Sequence, residues 1–178
     1  MDEGGLWELI AESRRESDND TALTSRLLFR RLRVLSATEI ADFVQLWEQV
    51  RSHLYTWPVT DAICLLLGVV EEDDLPHAQD WIISYGRSVV ERTIRTPDSL
   101  VELAADVHHA RAPWFGEFAT EAHIVITGSW PLGYDPDGPA DLLGEHIDLA
   151  DHAVARQQFP RLTAFRRQHA DLGIPELR

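Results

Sequence analysis

Apolar residues recur at steps of three and four along most of the chain, the spacing of one face of an α-helix. Leu6, Trp7, Leu9 and Ile10 open a first helix. Asp2 suits its N-cap, because a carboxylate there can accept from an early backbone N–H. Asp18-Asn19-Asp20 interrupts it, and Asp20 can cap a second helix carrying Leu23, Leu27, Leu28, Leu32 and Leu35. Ser36 and Glu39 have the spacing of a capping box. The next helix has the clearest stripe: Ile40, Phe43, Val44, Trp47, Val50 and Leu54, with Asp42, Glu48, Gln49 and Arg51 outside it.

The pattern then changes. From Ala62 to Leu67 nearly every position is apolar, and Pro58 fits the first turn of a helix. A helix that is apolar all round belongs at the centre of a bundle, so residues 59–69 are expected there. Asp74 followed by Leu75-Pro76 reads as an N-cap. The helix behind it presents Ala78, Ile82, Tyr85 and Val89 on one face with Trp81 beside them. Gly86 either ends that helix or admits a close backbone, and Val90 and Ile94 carry the pattern to Thr96. Thr96-Pro97-Asp98-Ser99 is a helix start, with Leu100, Leu103, Ala104 and Val107 as the inner face. After a break at Ala112-Pro113, a further helix carries Trp114, Phe115, Phe118, Ala119, Ala122 and Ile126 and stops at Gly128.

Three glycines and three prolines within residues 128–139 forbid a continuous helix, and Trp130 and Tyr134 suit a loop packed on the surface. A C-terminal helical segment follows over 140–170, broken at Pro160, with Leu162 and Phe165 to dock its last helix. The expected fold is all-α: one multi-helix bundle of about eight helices with the apolar helix 59–69 at its centre. It forms a single domain with its main bundle over 1–127.

Composition supports a folded chain. The 178 residues suffice for one domain with a real core, and 44% are hydrophobic. The longest apolar run, Ala62 to Val70, is far short of the roughly 20 residues of a spanning helix. Met1-Asp2-Glu3-Gly4-Gly5 lacks the basic start of a signal peptide, so a cytoplasmic location is expected, with no membrane partner. Cys64 is the single cysteine and stands in an apolar run. It reads as a small buried hydrophobe, and it excludes an internal disulfide and a cysteine zinc site.

Charge narrows the partners. The net charge is -14, and all 16 basic residues are arginine. Acidic residues are spread along the chain. Such a surface repels phosphate backbones, which disfavours direct nucleic-acid binding, and it attracts a basic protein. Arg26, Arg30, Arg31 and Arg33 form a local basic cluster, read as a solvated helix face.

Residues 54–100 carry a set of short motifs: Leu54-Tyr55 with Trp57, Asp73-Asp74, Trp81-Ile82-Ile83-Ser84-Tyr85-Gly86-Arg87, and Thr96-Pro97-Asp98-Ser99-Leu100. In these the chain resembles domain-of-unknown-function family 4240, uncharacterised bacterial proteins of actinobacterial type. The helix 114–127 and Phe159-Pro160-Arg161-Leu162 extend the likeness. The turn departs from it: Val69-Val70-Glu71-Glu72 stands where the family tends to have Gly-Gly-Cys-Ser, and Leu75-Pro76 where it tends to have Gly-Phe. The resemblance implies a helical fold and brings no activity.

Candidate chemistry centres on an acidic corner: Asp73, Asp74, His77 and Asp80, with Trp81 and Arg87 following. Asp73 and His77 are four apart, so they can share a helix face and, with Asp80, hold a divalent metal or pair an acid with a base. The competing account is structural, with Asp74 as a cap and its neighbours favouring a positive helix end. Asp106, His108 and His109 form a second cluster. Glu145, Asp148 and His152 form a third at i, i+3 and i+7. Asp135-Pro136-Asp137-Gly138 fails as a calcium loop, because a glycine at loop position six places Gly133 and Gly144 where ligands are needed. There is no Walker loop, G-x-G-x-x-G, H-E-x-x-H or G-x-S-x-G, and Ser84, Ser99 and Ser129 are isolated serines. The expectation is a non-enzymatic, acidic protein-binding protein of inhibitor, immunity or regulatory type, masking a basic partner and using no cofactor. The alternative is a metal-binding protein or metal-dependent enzyme built on Asp73–Asp80.

Overall fold

The computed structural model describes residues 1–68, 74–111, 116–131 and 141–169. In chain order the helices are α1 (Glu3–Glu16), α2 (Thr21–Leu32), α3 (Ala37–Leu54), α4 (Trp57–Leu67), α5 (Asp74–Ser84), α6 (Arg87–Arg95), a 3-10 helix (Pro97–His109), α7 (Gly116–Thr127), α8 (His152–Gln158) and α9 (Pro160–Gln168). No strand occurs among the described residues, so the fold is all-α as expected. No described helix is long and apolar enough to cross a membrane.

Three of the expected caps form. Asp2 accepts from the Gly5 N–H at 2.8 Å and Asp20 from the Leu23 N–H at 2.7 Å. Ser36 and Glu39 bond reciprocally at 3.3 and 2.9 Å. Each cap stabilises its helix by about 1 kcal/mol. All six stripe residues of α3 are buried, as are Val59, Ala62, Ile63, Leu65, Leu66 and Leu67 of α4. α4 lies against the 3-10 helix, α9 and α5, while α3 packs on α7 and α5, and α1 on α2. Each leucine or isoleucine so buried contributes about 1.5–3 kcal/mol. Leu23, Ile94 and Ile126 were placed on inner faces but are 40%, 42% and 46% exposed. Each lies in the first or last turn of its helix, where fewer neighbours cover it.

Four expectations change in detail. Asp74 is the first residue of α5 and not its N-cap. Cys64 is only partly buried. Residues 97–109 form a 3-10 helix, which adds a three-residue edge, while Leu100 and Leu103 are buried and Ala104 and Val107 pack against the core as expected. The C-terminal helical segment begins at His152, because residues 141–151 form an irregular strap.

Two buried carboxylates tie distant segments to the bundle. Asp98 accepts from the backbone N–H groups of Arg161 at 3.0 Å and Leu162 at 2.9 Å. It thereby caps α9, whose own N-cap, Phe159, offers no side-chain acceptor. Asp61 on α4 accepts from His146 Nδ1 at 2.8 Å and from the Ile147 N–H at 3.2 Å. The strap is further held by Trp57 N–H donating to the Leu143 carbonyl at 2.8 Å. Gly144 has φ +91, and a Cβ there would stand 3.2 Å from Pro58 Cδ. Glycine thus serves both the turn and the close approach.

Candidate functional site

Three residues per turn place Leu100, Leu103, Asp106 and His109 on one edge of the 3-10 helix. The two leucines are buried and carry Asp106 inward with them. Its Oδ2 accepts from Thr21 Oγ1 at 2.5 Å, Tyr85 Oη at 2.5 Å and Trp81 Nε1 at 3.2 Å. Its Oδ1 pairs with His109 Nδ1 at 2.7 Å. Partial burial pushes the carboxyl up, but bonds from Thr21, Tyr85, His109 and Trp81 outweigh it and hold it below the ordinary carboxylate value. Asp106 is therefore ionised, and His109 presents Nδ1–H to it. Burial, and then the bond to Asp106, push the Tyr85 phenol up to about 12.

On its other side Tyr85 meets Arg14. The guanidinium carbon lies 3.9 Å from the ring centroid. Arg14 is 7% exposed, and its Nη1 donates a long 3.4 Å bond to Thr21 Oγ1. It makes no ion pair among the described residues. Arg14 and Tyr85 line a cleft of about 570 Å³ together with Trp7, Asn19, Arg87 and Ser88. Asp18 and Asn19 have φ +53 and +64, a left-handed pair that turns the chain from α1 into α2. The Asn19 N–H donates to the Arg14 carbonyl at 2.9 Å, fixing that turn beside the cleft.

The acidic corner is divided between surroundings. Asp73 lies outside the described residues. Asp74 is 3.6 Å from the Arg111 guanidinium, and His77 is half-buried in the first turn of α5. Asp80 is 4% exposed and faces α3, where it accepts from Trp47 Nε1 at 2.6 Å with Arg51 Nη1 at 3.8 Å. Trp81, one residue on, turns toward Asp106, since adjacent helical residues do not share a face. Arg87 stands exposed at the rim of the cleft, paired with Glu91 at 2.7 Å and Glu3 at 3.9 Å. Thus Trp81 and Arg87 belong to the Asp106 hub and its cleft, and Asp80 does not.

The other clusters separate likewise. Asp106, His108 and His109 each offer one possible ligand atom within 4.8 Å of the others. The Asp106 carboxylate already serves four donors, which leaves it little capacity for a cation. Glu145 and Asp148 lie in the irregular strap and not on a helix with His152, and Asp148 accepts from the Ala150 N–H at 2.9 Å. Ser84 is fully buried and donates to the Trp81 carbonyl at 2.6 Å, so it is a helix residue and not a nucleophile. Residue patterns missed Arg14 and Tyr85 as cleft residues, because nothing local distinguishes a buried arginine from a solvated one.

The arrangement offers a cation, amide and hydroxyl donors and aromatic walls around one concavity, which suits binding. No curated protein and no solved structure matches the chain significantly. Residues 1–124 match the family described as Protein of unknown function (DUF4240), and the chain belongs to that family.

Proposed function

We propose that this protein is a non-enzymatic binding protein whose acidic surface docks a basic partner protein, as an inhibitor, immunity or regulatory protein would. One observation supports this above the net charge of -14: the strap of residues 141–151. It exposes Asp141, Glu145, Asp148 and Asp151, contains no arginine or lysine, and holds Leu143 at 67% exposure in its middle. Carboxylates around an exposed leucine provide long-range steering and an apolar anchor for a basic partner. The buried Asp61 fastens this surface to α4, so it is held in place before a partner arrives.

The test is capture from native lysate on immobilised protein at low and then high salt, repeated with a Glu145→Arg, Asp148→Arg double variant. The expected result is a basic protein that leaves as salt rises and is not retained by the variant. Equal retention by wild type and variant would remove the strap from the proposal, and no basic partner at low salt would sink it. Among the described residues the metal alternative finds a grouping at Asp106, His108 and His109; the acidic corner includes Asp73, which lies outside them. Calorimetry with Zn²⁺ on wild type and His108→Ala checks it, and it fails if neither gives a saturable heat.

A further inference from the structure

Arg14 is a buried cation with no ion pair among the described residues. It is 7% exposed, and its contacts are the Tyr85 ring face and one 3.4 Å bond to Thr21, so most of its five N–H donors lack a protein acceptor among the described residues. A desolvated charge left in that state is costly, and an anion beside it relieves the cost. The Tyr85 ring face lies 3.9 Å under the guanidinium carbon, and the hub fixes Tyr85 through Asp106.

A second feature of the same cleft also favours negative charge. Gly86, Arg87 and Ser88, which line it, are the N-cap and first two residues of α6. Gly86 supplies no side-chain cap, and its carbonyl takes the Val89 and Val90 N–H groups, which leaves the Arg87 and Ser88 amides of this nine-residue helix with no acceptor from that position. Helix N-termini bind oxyanions through such N–H groups and the aligned peptide dipoles. Gly86 has φ +94, and nothing lies within 4 Å of where its Cβ would be. Glycine is there for the backbone turn and not for close packing, and the space beside it is open. Trp7 and Tyr85 give the cleft aromatic surface. Its volume of about 570 Å³ falls among those of small-molecule sites.

We propose that this cleft binds a small molecule through an oxyanion group, a carboxylate or phosphate, received by the Arg14 guanidinium and the N-terminal amides of α6, with an aromatic or apolar body against Trp7 and Tyr85. Asn19, held by its left-handed turn, adds a neutral polar group for orientation. The site is independent of the acidic strap, and neither proposal depends on the other.

The experiment is an amide and arginine-Nε NMR titration of the full chain at constant ionic strength with benzoate, phenyl phosphate, inorganic phosphate and uncharged benzyl alcohol. Saturable shifts at Arg87, Ser88 and the Arg14 Nε–H are expected with benzoate or phenyl phosphate and not with benzyl alcohol. Comparing the two aromatic anions distinguishes carboxylate from phosphate, and inorganic phosphate tests whether the aromatic body contributes. Arg14→Gln should weaken binding by roughly tenfold or more. In case that buried substitution disturbs folding, Ser88→Glu provides a second arm. Ser88 is exposed, and a carboxylate there should occupy the helix end and compete with the ligand while the fold is kept. No saturable shift with any anion, shifts elsewhere in the molecule, or unchanged affinity in Ser88→Glu would overturn the proposal.

Discussion

Tyr85 donates its phenolic hydrogen to Asp106 Oδ2 over 2.5 Å, joining the end of α5 to the 3-10 helix. The same carboxylate receives Thr21 from α2 and Trp81 from α5, so one ionised group fastens three elements. The two partners shift oppositely: Asp106 is held down, and Tyr85 is pushed up to about 12.

Asp106→Asn leaves four donors facing one acceptor oxygen and a new amide N–H₂ group. A loss of about 2–4 kcal/mol near neutral pH is expected. The folded-state pKa of Asp106 lies below its unfolded value. Its stabilisation is therefore present above the unfolded value and lost as pH falls through the folded one. Urea titrations of both proteins should show the gap closing below pH about 4. A gap independent of pH would mean that the carboxylate charge contributes nothing.

Tyr85 gives the opposite window. Its folded pKa is raised from 10.0 to about 12. Its contribution is whole below 10 and disappears as pH rises toward 12, because ionised tyrosine is tolerated only when unfolded. Tyr85→Phe should lower stability at neutral pH by about 1–3 kcal/mol through the lost bond to a charged acceptor. It should also flatten the alkaline loss between those limits. The tyrosinate absorbance component with a midpoint of about 12 should vanish with it.

Asp98 caps α9 from the first turn of the 3-10 helix, 63 and 64 residues away in sequence. Asp98→Ala should cost about 1–2 kcal/mol. Hydrogen exchange should accelerate first at the Arg161 and Leu162 amides. Unchanged exchange there would show that α9 is held by Leu162 and its apolar contacts alone.

The helical periodicity of α3 and α4 was plain in the sequence, because burial selects apolar side chains at every inward position. Ser36, Glu39, Asp2 and Asp20 were legible as caps because capping is a local matter of two to four residues. Asp106 was seen only as a member of a cluster with His109. A period of 3.6 puts Ala104 and Val107 inside, and both do pack partly buried against the core, but the period of three observed also brings Asp106 to the inner edge with Leu100 and Leu103. Asp80 illustrates the other limit. Its neighbours in sequence are acidic, but its partner Trp47 is 33 residues away, and only the packing of α5 on α3 joins them. Arg14 carried no local sign at all.

Asp61→Asn should loosen the strap by removing one of two oxygens that receive separate donors, His146 Nδ1 and the Ile147 N–H. A loss of about 1–3 kcal/mol is expected, with faster exchange at the Ile147 amide. Its pH dependence should oppose that of Asp106. Burial is the largest influence on Asp61 and raises its carboxyl above the ordinary value, despite the opposing bonds from Ile147 and His146. A raised folded-state pKa contributes stability that is whole below the unfolded value and lost as pH rises through the folded one. The advantage of wild type over Asp61→Asn should therefore widen as pH falls, where that of wild type over Asp106→Asn narrows. Parallel denaturation series on the two variants check the signs against each other. A gap for Asp61 that narrows toward acid would mean that its bonds to the strap outweigh its burial. The strap would then be held by charge, and its presentation of Leu143 to a partner would weaken in acid.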